Sequence, residues 1–325
     1  MNMQFHPAEN PFMVTERPRV RTAQDYLMSV RAIVEGIWRW GIRLLGFMFN
    51  LFAAQFLVVA ALYYGIEYGK SACRLLSDPD VRIAYCTRTI PFFWPEDIED
   101  RATLLEERGD AYFKQELYRR AKSDFAAALS LRETAHLYWY RATAQAKINS
   151  TRPSSMRAVV ADSEQALALG ADHPELFAIK GLAHFELEDW KSAFDSLGDA
   201  VNAGASGDLL HTVLLERGRA AFELGAYNLA EADFDAVIAA EFDLGRARTG
   251  RADSRCRQGN LVGALADIVS LESEAPNMLR EVQKTLRARR HYAGPITGRF
   301  TDETRTALIK NYNSCRQTPA RIAPG

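Results

Sequence analysis

Four cysteines, Cys73, Cys86, Cys256 and Cys315, and six histidines, His6, His136, His173, His184, His211 and His291, are the side chains with the most chemistry to offer. A thiolate or imidazole ligates metal or attacks a substrate only beside a second group at a set spacing. No C-x-x-C pair occurs and the histidines are scattered, so zinc and thiol-exchange sites lack support. Each histidine reads as a helix-surface or interior partner. The cysteines are too few to build a fold on disulfides but suffice for one or two bridges. Carboxylates gather in "SDPD" and "TDE", both at helix starts, where they cap backbone N–H groups and offset the helix dipole. Glu106 with Glu107, and Glu231 with Asp233, sit in helical runs and read as solvated faces. No Gly-rich phosphate loop, HExxH, GxSxG or nucleophile triad pattern is present. The expectation is a non-enzyme without cofactor or metal.

The 325 residues are long enough for two domains, and a net charge of −1 gives no basic field for nucleic acid. Residues 44–66, "LLGFMFNLFAAQFLVVAALYYGI", contain no charged side chain. As a helix they extend about 34 Å, enough for a hydrocarbon core of roughly 30 Å. Arg43 and Glu67 bracket the run, and Trp38, Trp40, Tyr63, Tyr64 and Tyr68 stand where interfacial aromatics belong. Asn50 and Gln55 are suited to face a partner helix. The run is too long, and too far along the chain, for a cleaved signal peptide. Arg17, Arg19, Arg21, Arg31, Arg39 and Arg43 precede it, against Lys70, Arg74, Arg82 and Arg88 after it. That bias predicts residues 1–43 in the cytoplasm and the C-terminal bulk in the periplasm, held by one pass through a bacterial inner membrane. Residues 22–40 have Tyr26, Val30, Ile33, Ile37 and Trp40 at helical spacing. Two readings stand for them: a helix on the leaflet, or a plain lead-in to the span.

From residue 102 the chain repeats itself. Gly109, Tyr112, Ala121, Phe125 and Ala128 set a frame that recurs as Gly181, His184, Ala193, Leu197 and Ala200. It returns as Gly218, Ala221, Ala230, Phe234 and Val237, and as Ala252, Arg255, Ala264, Ile268 and Leu271. The small residue precedes the second-helix alanine by twelve residues each time. A less regular copy carries Ala142, Ala158 and Ala166, with an insertion around "STRPSS" that reads as a protruding loop.

This pattern resembles the tetratricopeptide repeat (TPR) family over residues 102–272. The resemblance implies an all-α fold: a superhelical solenoid of helical hairpins with a concave groove for protein partners. It places Tyr112, Lys114, Arg141 and Lys180 as candidate groove residues. Extended backward, the solenoid spans 70–272, and the frame puts Cys73 at the Tyr112 position and Cys86 at the Phe125 position. Those positions touch in a TPR hairpin, so the resemblance implies either a Cys73–Cys86 disulfide or two small buried hydrophobes. Phe92, Phe93 and Trp94 then plug the join to the first clear repeat.

After Pro276 the frame fails. Val282, Gln283, Leu286, Tyr292, Gly294, Pro295, Gly298, Phe300, Thr304, Ala307, Leu308 and Tyr312 resemble a three-helix peptidoglycan-binding domain, here over 277–315. The resemblance implies a wall-binding-like surface at Tyr292, Gly294, Phe300 and Thr304. The family's usual residues are replaced at Arg290, His291, Thr297 and Thr301. Cys315 either pairs with Cys256 or stays free. The expected whole is a membrane-anchored periplasmic scaffold or assembly factor. Its partners are proteins, including a membrane protein, with peptidoglycan as a further ligand. The alternatives are an accessory subunit of an inner-membrane complex and a wall-remodelling factor.

Overall fold

The computed structural model describes residue 31 and residues 49–92, 97–148 and 152–315, and every regular element there is helical. The chain divides into two compact units, residues 1–75 and 76–325. The first contributes α1 (Phe49–Leu75), with a Glu67–Lys70 ion pair at 2.9 Å and an edge-on Tyr63–Tyr64 contact. Residues 44–48 of the apolar run lie outside the described residues, and of 49–59 only the helical backbone is described. Among the described residues, no helix is long and apolar enough to cross a membrane. The segment 22–40, apart from Arg31, also lies outside them, as do Phe93, Trp94 and residues 149–151 of the insertion.

The second unit opens with α2 (Pro79–Thr89) and a short 3-10 turn at Ile90–Phe92. Asp78 starts α2 by accepting the backbone N–H groups of Asp80 and Val81 at 2.9 and 3.2 Å, two of the donors a helix leaves without a partner. Five hairpins follow: α3 (Ile98–Lys114) with α4 (Tyr118–Leu129), and α5 (Ala135–Lys147) with α6 (Pro153–Ala168). Next come α7 (Pro174–Glu186) with α8 (Trp190–Asn202), α9 (Gly207–Glu223) with α10 (Tyr227–Ala239), and α11 (Leu244–Gln258) with α12 (Leu261–Glu274). The last elements among the described residues are α13 (Pro276–Ala288) and α14 (Asp302–Cys315).

The repeat residues do the packing assigned to them. A Cβ added at Gly109 would stand 2.6 Å from the Phe125 ring, and one at Gly181 would stand 2.7 Å from Leu197. The two helices therefore approach as closely as a bare backbone allows. Ala121, Ala128, Ala193, Ala200, Ala230 and Ala264 are wholly buried between hairpins. Cys73 in the first unit and Cys86 in the second are each fully buried and disulfide-bonded, so the reading as unbonded hydrophobes does not hold.

Residues 277–315 do not form a core of their own. Leu279, Leu286, Tyr292, Ala307, Leu308 and Tyr312 join Ala252, Cys256, Ala264, Ile268 and Leu271 of the last repeat in one apolar cluster. The C-terminal hairpin thus covers the end of the solenoid, where a stacked repeat would otherwise expose its apolar face.

Seven residues after Gly109, Gly181, Gly218 and Ala252 the hairpin turns through a left-handed backbone. Gly225 and Gly259 take it at φ 79° and 87°, whereas Glu116 and Glu188 take it at 61° and 58°. Side chains with a Cβ pay roughly 1–2 kcal/mol for that region. Glu116→Gly and Glu188→Gly are each expected to raise the thermal midpoint, by the equivalent of up to about 1 kcal/mol once glycine's extra chain entropy is set against the relief. A melting curve of each full-length variant checks this; an unchanged or lower midpoint refutes it.

Candidate partner-binding groove

Each hairpin is fixed by a polar fork before it can present anything. Arg108 on α3 donates through Nε and Nη2 to both oxygens of Asp124 on α4, each at 2.7 Å. Arg141 holds Asp162 at 2.8 and 2.6 Å, and Arg217 holds Asp233 at 2.9 and 2.6 Å. Arg251 forks Asp267 likewise, and Arg255 adds a bond to the same carboxylate at 2.8 Å. All four aspartates are buried. The bond to its aspartate raises the pKa of Arg108, Arg141 and Arg217 despite burial. In each pair the arginine directly precedes the small residue of the first helix; Asp124, Asp233 and Asp267 directly precede the large residue of the second, whereas Asp162 precedes Ser163. The α7–α8 hairpin lacks the fork: Lys180 and Ser196 hold those positions, and Lys180 leans toward Glu164 at 3.7 Å.

Beyond chain neighbours, α5 touches α7, α7 touches α9, and α9 touches α11. The first helices α5, α7, α9 and α11 therefore stand side by side along one face, which we take as the inner face. Their side chains are stitched one helix to the next. Glu106 on α3 meets His136 Nδ1 on α5 at 2.8 Å and accepts from Arg132 at 3.0 Å. Trp139 on α5 stacks on His173, just before α7, with ring centres 4.7 Å apart. Arg219 on α9 lies 4.5 Å over the Phe185 ring of α7. Arg246 on α11 reaches the buried Glu216 of α9, which also takes Arg219 at 2.5 Å. Arg257 lies over Phe222. His136, Trp139, Phe185, Arg219 and Phe222 are all partly exposed.

Electrostatics vary along this face. Burial, followed by the carboxylates of Asp110, Glu106 and Glu107, pushes the Tyr140 phenol well up, so it stays protonated. Burial also raises Glu107, outweighing Arg82, and lowers Lys147. The indole Nε1 of Trp139 is shielded from solvent and finds no acceptor among the described residues.

Of the four candidate groove residues, Lys114 shares the inner face, in register with Glu106 and Asp110 and ion-paired to Asp110 at 2.8 Å. Tyr112 is half-buried between the guanidiniums of Arg108 and Arg120. Arg141 is committed to its fork, and Lys180 holds the equivalent place. His136, Trp139, Phe185 and Arg219 were not singled out by the sequence reading. A signal existed: counted from each small residue, offsets −6, −3, +1 and +5 share one helical stripe. Those offsets select His136, Trp139, Arg219 and Arg257 as well as Lys114.

At the C-terminal hairpin, Gln283 is fully buried and uses its whole amide. Its Oε1 accepts from Thr297 N and Gly298 N, each at 3.0 Å, and its Nε2 donates to Arg299 O and Thr304 Oγ1. Gly298 turns at φ 74° with the Pro276 carbonyl close by, and Arg290 sits at φ 60°, where the resembled family has glycine. Tyr292 is buried and donates to Pro295 O at 2.7 Å; Thr304 is wholly buried. Gly294 and Phe300 are half-buried. Two of the four wall-binding-like positions therefore hold the turn together from inside. Cys256 on α11 is disulfide-bonded, with its Sγ 3.5 Å from the Tyr312 carbonyl of α14.

No family model matches the chain, and no curated protein matches it. Among solved structures it is similar to YrrB, a TPR protein with an unusual peptide-binding site. That likeness has 21% identity and TM-score 0.50, over 63% of this chain and 97% of the other. A tetratricopeptide repeat protein from Parabacteroides merdae aligns at 16% identity over 74% and 93%, with TM-score 0.48. A thermophilic TPR protein from Thermus thermophilus aligns at 19% over 64% and 99%, with TM-score 0.38. At these identities the likeness speaks for the fold, and with the hairpin series above it makes this an all-helical TPR-like solenoid.

Removing one arm of a fork strands a buried carboxylate. Arg217→Leu and Asp233→Leu are each expected to destabilise by about 3 kcal/mol, and the two together to recover most of that. Urea denaturation of the two singles and the double closes the cycle. Additive losses would mean the fork does not couple α9 to α10.

Proposed function

We propose that this protein is a non-enzymatic, membrane-anchored scaffold that binds a protein segment along the inner face of its solenoid. The observation that carries the reading is the half-exposed lattice of His136, Trp139, Phe185, Arg219 and Phe222 along successive inner helices. The hairpin forks are spent internally, whereas these side chains keep one side toward the groove. Aromatic and arginine side chains of this kind supply most of the energy at protein interfaces. YrrB, similar in fold, is a peptide-binding TPR protein. An extended or helical segment would lie across the inner helices, as grooves of this shape accept.

The uncharged run 44–66 supports anchoring, and the arginine excess before it supports a periplasmic solenoid. The disulfide-bonded state of Cys73, Cys86 and Cys256 supports the same compartment, because such bonds persist where the surroundings oxidise. Asn50 and Gln55 in the run favour a second reading, an accessory subunit packed against helices of a membrane complex. The wall-factor reading has less to stand on, since Tyr292 and Thr304 are buried.

Two measurements test this. Protease added outside sealed, right-side-out vesicles should digest residues 76–315, and full protection would place the solenoid on the other side. Trp139→Ala with Arg219→Ala should cut the yield of proteins that co-purify with the full chain by about tenfold or more, in protein whose circular dichroism still shows the parent's helical content. Undiminished yield with that pair would remove the groove from the interface.

A further inference from the structure

Two stretches of the chain are rich in arginine, and the structure treats them oppositely. Along α11, Arg246, Arg248, Arg251 and Arg255 each end on a carboxylate, at Glu216, Glu274, Asp267 and Glu231. Residues 277–315 carry eight Lys or Arg against three Asp or Glu, in a chain whose net charge is −1. Here Lys284 pairs with Glu281 and Arg305 with Asp302, and the other partners are neutral. Arg280 donates to Asn277 Oδ1, and Arg287 donates to the Gly294 carbonyl. Arg290, Arg299 and Lys310 have no ion pair among the described residues, and all five cations are exposed. A neutral acceptor holds a guanidinium in place without cancelling its charge.

These groups are also brought together. Arg280 packs against Gly298, next to Arg299, and Arg287 is fixed at Gly294, the other end of the same turn. Arg280 and Arg287 lie on one stripe of α13. On α14, Arg305 lies 5.7 Å over the Phe300 ring, and Ile309, one turn on and beside Lys310, is 40% exposed. Arg280, Arg287, Arg290 and Arg299 line an exposed edge formed by α13 and the turn after it, which suits a surface of many anions over one small ion. Apolar groups set among them suit a bilayer, where they enter the headgroup region beside the charges.

We propose that this edge of the C-terminal hairpin docks on an anionic phospholipid surface. The docking does not require residues 44–66 to span a membrane. Full-length protein is reconstituted into discs of zwitterionic lipid and then mixed with separate vesicles, with or without phosphatidylglycerol. Discs carrying the protein should float with the anionic vesicles only, and salt of about 1 M, which shortens screening to roughly 3 Å, should release them. The variant Arg280→Gln, Arg287→Gln, Arg290→Gly, Arg299→Gln keeps neutral polar groups and relieves the positive φ at residue 290. It should bind at least about tenfold more weakly. A control, Arg88→Gln, Arg101→Gln, Arg119→Gln, removes exposed cations elsewhere and should bind as the parent does. Equal flotation with zwitterionic vesicles, equal loss in the control, or capture by purified peptidoglycan sacculi without vesicle binding overturns the proposal. If the chain stays out of the discs, the anchoring reading fails, and flotation of the free chain still decides this one.

Discussion

In four of the five hairpins the inner face depends on a buried fork between an arginine of one helix and an aspartate of the next. A TPR hairpin buries little apolar surface by itself, and its two helices can slide or rotate while keeping small residues in contact. A bidentate pair removes that freedom, because two parallel N–H to oxygen bonds form in only one register. The carboxylates at Asp124, Asp162, Asp233 and Asp267 are buried, so breaking a fork leaves a desolvated charge. With the hairpin angle set, the residues on the next stripe are aimed toward the groove. The α7–α8 hairpin, with Lys180 and Ser196, does without this device. There the closeness of Gly181 to Leu197 is the remaining local restraint.

Contacts between repeats are of a second kind. Glu106 with His136, Trp139 with His173, and Phe185 with Arg219 each join neighbouring hairpins through groups that water can still reach in part. Such contacts are weaker than the forks and easier to exchange for contacts with a partner. Stability sits between the two helices of each hairpin, and recognition sits across the hairpins. A solenoid built this way can offer binding side chains without loosening its units.

The C-terminal hairpin closes the array from one end. Its apolar side chains complete the core of the last repeat, and the disulfide at Cys256 adds a covalent tie in that core. The Gln283 amide stands in for backbone partners that an irregular turn lacks, satisfying two N–H groups and one carbonyl at once. Arg280 and Arg287 on the outside of the hairpin rest on neutral groups, and it is there that uncancelled positive charge collects.

The small residues, the twelve-residue interval and the large residue that fills each gap were legible in the sequence, because helix packing reads size at fixed spacing. So was the end of the array after Pro276. The uncharged run at 44–66 is likewise a property of the sequence itself. Arg141 shows the limit of that reading. As one residue in a frame it looked like a groove ligand, and only its distance to Asp162, across the insertion, reveals a structural fork. Tyr292 and Thr304 carried a family pattern that implied a surface, yet burial depends on what α11 and α12 bring against them. The sequence by itself determined which residues pack and in what order the hairpins follow. Tertiary structure alone decided which charges are cancelled and which are left to meet a partner, because cancellation depends on approach between side chains that the chain order keeps apart.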